Sequence, residues 1–381
     1  MPDARPRTGF FAFPEIDWIM LGAVLCMSFL GLLTMASFSG DDTYLVRQVS
    51  WLLISVAVFF FCAGVDWSFL KKPNVVAWIF VLSVGLLSAL FAVGHIAKGA
   101  QKWFSVGGLS FQPSDPVKLG LIVILAKYFS RRHVEIANIK HILVSGFYAF
   151  VIAILIFLQP DLGSAIIVCL IWLGMILVSG VSKKHLAAVF LVGLTAFSIL
   201  WFDGLKQYQR DRLVNFIHPL SHLSGSGYNA YQATIAIGSG GILGKGIGYG
   251  TQSRLKFLPE YRTDFIFAAF AEEWGLVGVA ILFSLFAILI WRIAANAYLG
   301  ATNFEVLFGL GLAIMFMSHF FVNVGMTLGL APVTGINFPF MSYGGTNLLA
   351  SFAGLGILAG MSAYRRSAHR ETVKNEFLGL E

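Results

Sequence analysis

The chain has 381 residues, 57% hydrophobic and only 12% charged, with 26 Lys and Arg against 19 Asp and Glu. A mean hydropathy of +0.80 takes it well beyond soluble domains, which are roughly 45–50% apolar. The net charge of +7 is distributed as membrane topology requires and not as a nucleic-acid-binding surface.

Apolar runs of about 17 to 25 residues, each able to cross a hydrocarbon core of roughly 30 Å as a helix, begin near residues 16, 47, 75, 116, 141, 162, 185, 264, 304 and 343. The pattern predicts an all-α, polytopic membrane protein with about ten transmembrane helices and a single integral membrane domain over 1–381. One long extracytoplasmic loop, 203–262, is expected between spans seven and eight. Arg5, Arg7, Lys71, Lys72, Arg131, Arg132, Lys183, Lys184, Arg292, Arg365 and Arg366 fall on one side of the alternating spans, against little more than Arg47, Lys98 and Lys102 on the other. The positive-inside rule then puts both termini in the cytoplasm of a multi-pass cytoplasmic-membrane protein. Cys26, Cys62 and Cys169 lie inside apolar runs and read as packing residues. The N-terminus reads as a retained first span, since no small-residue cleavage site follows a short apolar region.

In chain order, Arg47 opens the second span as an interfacial, snorkelling residue. The outer loop Gly99 to Gly108 reads as a turn with Trp103 as an interfacial anchor. Gln112-Pro113-Ser114-Asp115-Pro116 has the grammar of a helix start, with Asp115 as a cap. Lys118 follows inside an apolar run, where an ammonium group needs an anion; Asp264, entering the membrane from the same side, is a candidate. A second junction, Gln159-Pro160-Asp161, makes Asp161 another cap. The 203–262 loop carries Lys206, Arg210, Arg212, Lys245, Arg254, Lys256 and Arg262 against Asp203, Asp211 and Glu260, an excess suited to an anionic ligand at the membrane surface. Gly238 to Gly250 matches neither the dinucleotide nor the P-loop spacing and specifies a flexible or close-packed loop. His218 and His222 lack a third ligand for zinc. The run Ala331 to Asn347, rich in Pro, Gly and aromatics, reads as an interfacial or re-entrant loop lining an outward site.

Asp264 stands where a charged loop, Phe257 to Thr263, meets the apolar Phe265-Ile266-Phe267. A carboxylate there is either a helix cap or functional, because acids in a span cost roughly 2.5–3.5 kcal/mol at the bilayer centre. Glu272 is a poor second carboxylate: eight residues of helix are about 12 Å of rise, beyond the roughly 6.5–9.5 Å of an inverting pair.

These motifs resemble the SEDS family of cell-wall proteins, the RodA, FtsW and SpoVE group, over nearly the whole chain and most of all its RodA branch. The resemblance rests on Gln112-Pro113-Ser114, Gln159-Pro160-Asp161-Leu162-Gly163, Gly238-Ser239-Gly240-Gly241, Gly250-Thr251-Gln252-Ser253, Leu258-Pro259-Glu260, Thr263-Asp264-Phe265-Ile266-Phe267 and Pro339-Phe340-Met341-Ser342-Tyr343-Gly344-Gly345. Two positions depart from the pattern: Asp115 stands where the family has Glu, and Lys102 where it has Arg, which keeps charge but loses bidentate phosphate geometry.

The resemblance implies a peptidoglycan glycosyltransferase that polymerises lipid II at the outer face of the membrane for elongation and shape. Its partners would be a class B penicillin-binding protein and other elongation-complex membrane proteins, with no nucleic acid. Asp264 is expected to be the catalytic base, with Lys118, Asp115 and Asp161 balancing charge. Arg47, Lys102, Arg210, Lys245, Arg254 and Arg262 are candidates for lipid II or its pyrophosphate. No metal-ligand set is identified, and a divalent cation, Mg or Mn, is the candidate cofactor. The competing readings are a flippase of lipid-linked precursor and a scaffold that only recruits the transpeptidase.

Overall fold

The computed structural model describes residues 16–37, 43–97, 100–106, 109–130, 139–205, 207–217, 226–255 and 257–378. Arg5, Arg7, Lys98, Arg131, Arg132, His218 and His222 lie outside them. Every predicted apolar run becomes a helix: α1 (Trp18–Ser37), α2 (Thr43–Gly64), α3 (Pro73–Val93), α4 (Ser114–Ser130), α5 (Ile139–Leu158), α6 (Leu162–Val178), α7 (Lys183–Ile199), and, after three helices of the long loop, α11 (Ile266–Tyr298), α12 (Asn303–Thr327) and α13 (Gly345–Leu378). Of these, 7 are long and apolar enough to cross a membrane. The helices α4, α6 and α7 have 17 residues each, about 25 Å of rise.

The 203–262 segment is more ordered than the loop expected there. It holds α8 (Gln207–Ile217), α9 (Ser226–Gly240) and the short α10 (Thr251–Arg254). Ala233 and Ala236 of α9 pack with Leu258, Phe265, Ala268 and Ala269 in a small core of their own. These apolar positions at helical spacing lie between charged stretches, which hides the helix in a composition reading. The outer loop before α4 is likewise not a simple turn. It forms a three-stranded antiparallel sheet in the order β1-β2-β3, with β1 at His95–Ala97, β2 at Ala100–Val106 and β3 at Leu109–Phe111.

The main core is built on α4 and α12. Leu121, Ile122, Leu125 and Ala126 of α4 and Phe308 and Leu312 of α12 have no exposure at all, because α12 packs on α4, α6 and α11 together. Outside this centre, α13 lies along α2 and α1 along α11. At one end of the bundle, ion pairs fasten these layers. Arg292 Nη2 lies 2.8 Å from Asp17 Oδ2, and Asn296 Nδ2 donates to the same oxygen at 2.7 Å. Burial alone would raise the Asp17 carboxyl, but the bonds from Arg292, the Met20 N–H and Asn296 prevail and lower it. Lys71 similarly reaches Glu305 at 2.8 Å.

The helix α11 is broken inside its first turns. Gly275 has φ 62° and ψ −164°, a region closed to residues with a Cβ. The break strands backbone groups, and the Gly-rich loop takes them up. Lys245 N and Gly246 N donate to the carbonyls of Glu272 and Glu273 at 3.0 Å each, while Leu276 N and Val277 N donate to Gly241 O and Ile242 O at 3.0 and 3.1 Å. A buried amide left unpaired costs about 1–3 kcal/mol, so these four bonds decide whether the break is tolerable. The loop approaches so closely that a methyl on Gly240 would fall on the Ala271 carbonyl, and one on Gly275 on Gly244 N. Of the two expectations for Gly238 to Gly250, close packing is the one realised.

Gly275→Ala is therefore expected to lower the thermal stability of the detergent-solubilised protein, by at least the roughly 1–3 kcal/mol of a strained backbone position. Gly22→Ala, where a methyl meets nothing within 4 Å, should match the parent. Equal melting temperatures for Gly275→Ala and the parent would mean that the helix runs straight through.

Candidate functional site

Asp264 lies one residue before Phe265, the N-cap of α11, and Phe265 makes no side-chain cap. The aspartate is therefore outside the capping position. It belongs to a joint between two loops, 259–265 and 331–344. Asn323 of α12, fully buried, donates through Nδ2 to Asp264 O at 2.8 Å and to Ile336 O at 2.6 Å. Ser342 Oγ donates to Thr263 O at 2.6 Å and accepts from Phe338 N at 2.8 Å. Tyr343 N donates to Arg262 O at 2.8 Å. The carbonyls of Arg262, Thr263 and Asp264 are thus all taken by the facing elements.

The Asp264 side chain is half-buried and lies over Gly335. This glycine has φ +75°, and a Cβ on it would sit 3.3 Å from Asp264 Oδ2. Phe265 and Ile266 behind the aspartate are buried, and Phe267 stacks on Phe338 with ring centroids 6.0 Å apart. The carboxylate therefore has an apolar wall on its helix side and a side-chain-free floor at Gly335.

One helical turn along α12, about 6 Å, the polar interior continues. His319 Nδ1 lies 3.4 Å from Asn337 O and lines a cavity with Asp115, Lys118, Phe316, Pro339 and Asn347. About 10 Å³ of it is open to the centre of a water molecule, the room one water needs. Lys118 and Asp115 are 2% and 6% exposed, and Lys118 Nζ lies 3.1 Å from Asp115 Oδ1. This corrects two expectations. The carboxylate that Lys118 pairs with is Asp115, three residues earlier on the same helix, and Asp115 sits inside the first turn of α4 as a counter-ion instead of capping it. Helix geometry places i and i+3 side chains on one face, so the pair was available without any tertiary contact. Asn347 Nδ2 adds a weak third contact to Asp115 Oδ1 at 3.5 Å.

Asp161 is the cap it was expected to be, accepting from Ser164 N at 3.2 Å. Its second oxygen accepts from Gln112 Nε2 at 3.0 Å and lies 3.8 Å from Lys102 Nζ, which joins the two Gln-Pro junctions and the small sheet. The basic candidates divide. Lys245 is engaged by the buried Glu272 at 2.8 Å, with Thr251 Oγ1 at 2.9 Å. Arg210 Nη2 donates to Phe202 O at 2.7 Å. Arg254 and Arg47 are exposed on α10 and α2, Arg47 being next to Gln48, whose Nε2 donates to Ser342 O at 3.2 Å. The guanidinium of Arg262 lies over the Tyr44 ring. His319 and Asn323 escaped the sequence reading. Both are polar residues inside an apolar span, the same signal that singled out Lys118.

A helical membrane bundle with a polar interior opening beside a held aspartate defines the class. Residues 11–367 match the cell cycle protein family of FtsW, RodA and SpoVE, and the chain belongs to that family. It is 35% identical over 96% of its length to the peptidoglycan glycosyltransferase MrdB of Escherichia coli, covering 98% of that protein. It is 34% identical to the stage V sporulation protein E of Bacillus subtilis, over 92% of this chain and 96% of that one. Among solved structures it resembles a chain of a peptidoglycan synthase complex that coordinates polymerization and crosslinking, with a TM-score of 0.78 and 30% identity over 91% of this chain and 98% of that chain. The crystal structure of the rod shape determining protein RodA of Thermus thermophilus aligns with a TM-score of 0.67 and 30% identity, over 92% of this chain and 97% of that one.

The Asp115–Lys118 pair can be tested apart from activity. Lys118→Met should destabilise the protein by about 3–5 kcal/mol, the cost of leaving one buried charge alone. Asp115→Leu/Lys118→Met should recover most of that loss in the same detergent unfolding assay. A double variant no better than the single one would show that the two charges do not depend on each other.

Proposed function

We propose that this chain is an inverting peptidoglycan glycosyltransferase that polymerises lipid II, with Asp264 as its base. The observation that carries the site reading is the joint in which three successive carbonyls, those of Arg262, Thr263 and Asp264, are bonded by Tyr343, Ser342 and Asn323. A backbone held so closely fixes where the carboxylate stands, which is what proton abstraction from a positioned hydroxyl requires. In the reaction the acceptor sugar's hydroxyl gives its proton to Asp264, and its oxygen bonds to the donor's anomeric carbon. The bond from that carbon to the lipid pyrophosphate breaks, and the electron pair leaves with the pyrophosphate. A single base with cationic help suffices, because pyrophosphate is already a good leaving group.

Asp115 and Asp161 at this end are buried, held by Lys118 and by Ser164 N and Gln112, whereas Asp264 is half-buried. Among the described residues no group of three His, Cys, Asp or Glu comes together that would hold a metal ion. A Mg or Mn ion would accordingly come with the substrate, held by its pyrophosphate oxygens and one or two carboxylates. The partner is a class B penicillin-binding protein, whose transpeptidation would cross-link the strands made here; the synthase complex that the fold resembles supports this. Both termini lie in the cytoplasm, and the Gly-rich loop and α10 face outward with the site.

Asp264→Asn keeps size and an acceptor but removes the base. Purified with its partner and given lipid II, it should polymerise roughly 10²–10⁴-fold more slowly than the parent, with partner co-purification unchanged. Activity within about threefold of the parent would move the base to Asp115, Asp161 or Glu260. A parent protein that makes no polymer where a known polymerase does would favour the flippase.

Orientation has its own check. Cysteines introduced at the exposed Tyr249 and Asn74 should differ, only the first reacting with an impermeant maleimide on intact cells. Equal labelling of both would overturn the assigned topology.

A further inference from the structure

Arg262 is a cation that the fold aims without neutralising it. Its guanidinium carbon lies 4.7 Å from the centroid of the Tyr44 ring and 5.2 Å from that of Tyr261. Tyr44 is braced edge-on by Tyr343, with centroids 5.3 Å apart, and the N–H of that same Tyr343 holds the Arg262 carbonyl. Backbone and side chain are therefore fixed by the loop that closes the Asp264 joint. Among the described residues the ion pairs engage Lys71, Lys102, Lys118, Lys245 and Arg292, and Arg262 is in none of them.

A guanidinium lying over aromatic faces is attracted through its flat side and keeps its edge N–H donors for a ligand, and that edge matches phosphate oxygens in a fork. Loss of rotamer freedom has already been met by the rings, so less remains to be lost on binding. The position in the chain also suits an in-line displacement. Two residues span at most about 7 Å of backbone, so the Asp264 carboxylate and the Arg262 guanidinium start close enough along the chain to serve one substrate. Base and leaving group must lie on opposite sides of that carbon when it inverts.

We propose that Arg262, positioned by Tyr44 and Tyr261, binds the departing pyrophosphate of the donor lipid, an inference that rests on the glycosyltransferase reading above. The negative charge that grows on the bridging oxygen as the carbon–oxygen bond breaks meets the guanidinium edge, while the proton goes to Asp264. Lys245, held by Glu272, is left to organise the Gly-rich loop.

The test measures initial polymerisation rates of the full chain with its partner across lipid II concentrations, in neutral detergent. Arg262→Ala should lower kcat/KM by about 10- to 100-fold, the range of a lost charge-assisted hydrogen bond, and Arg262→Lys should recover only part. Tyr44→Ala should lose several-fold, and Tyr44→Phe, which keeps the ring, should lose clearly less than Tyr44→Ala. In an Arg262→Ala background Tyr44→Ala should cost nothing further, which a merely structural tyrosine would not reproduce. Inorganic pyrophosphate should inhibit the parent at lower concentration than it inhibits either Arg262 variant. The proposal is overturned if Arg262→Ala stays within threefold of an active parent, or if the Tyr44 and Arg262 losses simply add. It is also overturned if the Arg262 loss is seen only in vesicles containing phosphatidylglycerol, which would assign the guanidinium to bulk lipid headgroups. Should Arg262→Ala fail to accumulate, Arg262→Lys with Tyr44→Ala forms the same cycle. A parent that does not polymerise fails the broader reading, and an active parent with unaffected variants fails this one alone.

Discussion

Asn323 has no contact with solvent, and its one amide nitrogen bonds the carbonyls of Asp264 and Ile336 at 2.8 and 2.6 Å. Two irregular segments, 259–265 and 331–344, would otherwise carry unpaired backbone into a place where water cannot serve them. Non-helical chain at membrane depth persists only where protein satisfies it. Through that amide, α12 holds the start of α11 against the loop that leads into α13. Everything the site needs follows from it: the height of Asp264, the approach of Gly335 beneath the carboxylate, and the stacking of Phe267 on Phe338.

The same economy of backbone bonds explains why α11 can break at Gly275 so near the site. A kink inside a helix normally leaves donors and acceptors stranded. Here residues 241–246 supply four partners, and Lys245 then turns its side chain onto Glu272. The three bonds that Glu272 Oε1 accepts, from Lys245 Nζ, Thr251 Oγ1 and Gln252 N, pin α10 to the broken helix. A cation that the sequence offered for substrate is thereby occupied in shaping the loop.

How far the chain could be read in advance depended on whether the deciding contact was local. Apolar period and length placed the starts of all the long helices, since a span needs only its own residues. Gln-Pro-Asp at 159–161 told of a cap because capping spans three residues, and Ser164 N sits where the rule puts it. Strand β2 was missed because pairing with β1 and β3, not its own short pattern, makes it a strand. The helices α8 and α9 were missed because the charges of α8 and the Gly, Ser, Asn and Gln residues of α9 blur their apolar period. Lys118 illustrates the opposite error: a distant partner was sought for an ammonium whose carboxylate lay one turn away. The site was legible as a set of polar residues at one end of the spans, but the joint that holds Asp264 rests on Asn323, Ser342 and Tyr343, from elements far apart in the chain, and no local pattern contains it.

The distribution of charge at this end bears on the choice of base. Asp115 and Asp161 each hold a defined partner inside the protein, and taking Lys118 away from Asp115 would expose the pair to the roughly 3–5 kcal/mol that a lone buried charge costs. Either acid, used as a base, would have to change charge within a buried network at every turnover. Asp264 stands half-buried, and its backbone is set by the bond that its own carbonyl accepts from Asn323. A carboxylate can then gain and lose a proton while the frame around it stays as it is. A buried Asp115–Lys118 pair beside a half-buried Asp264 is the division of charge that the proposed base requires.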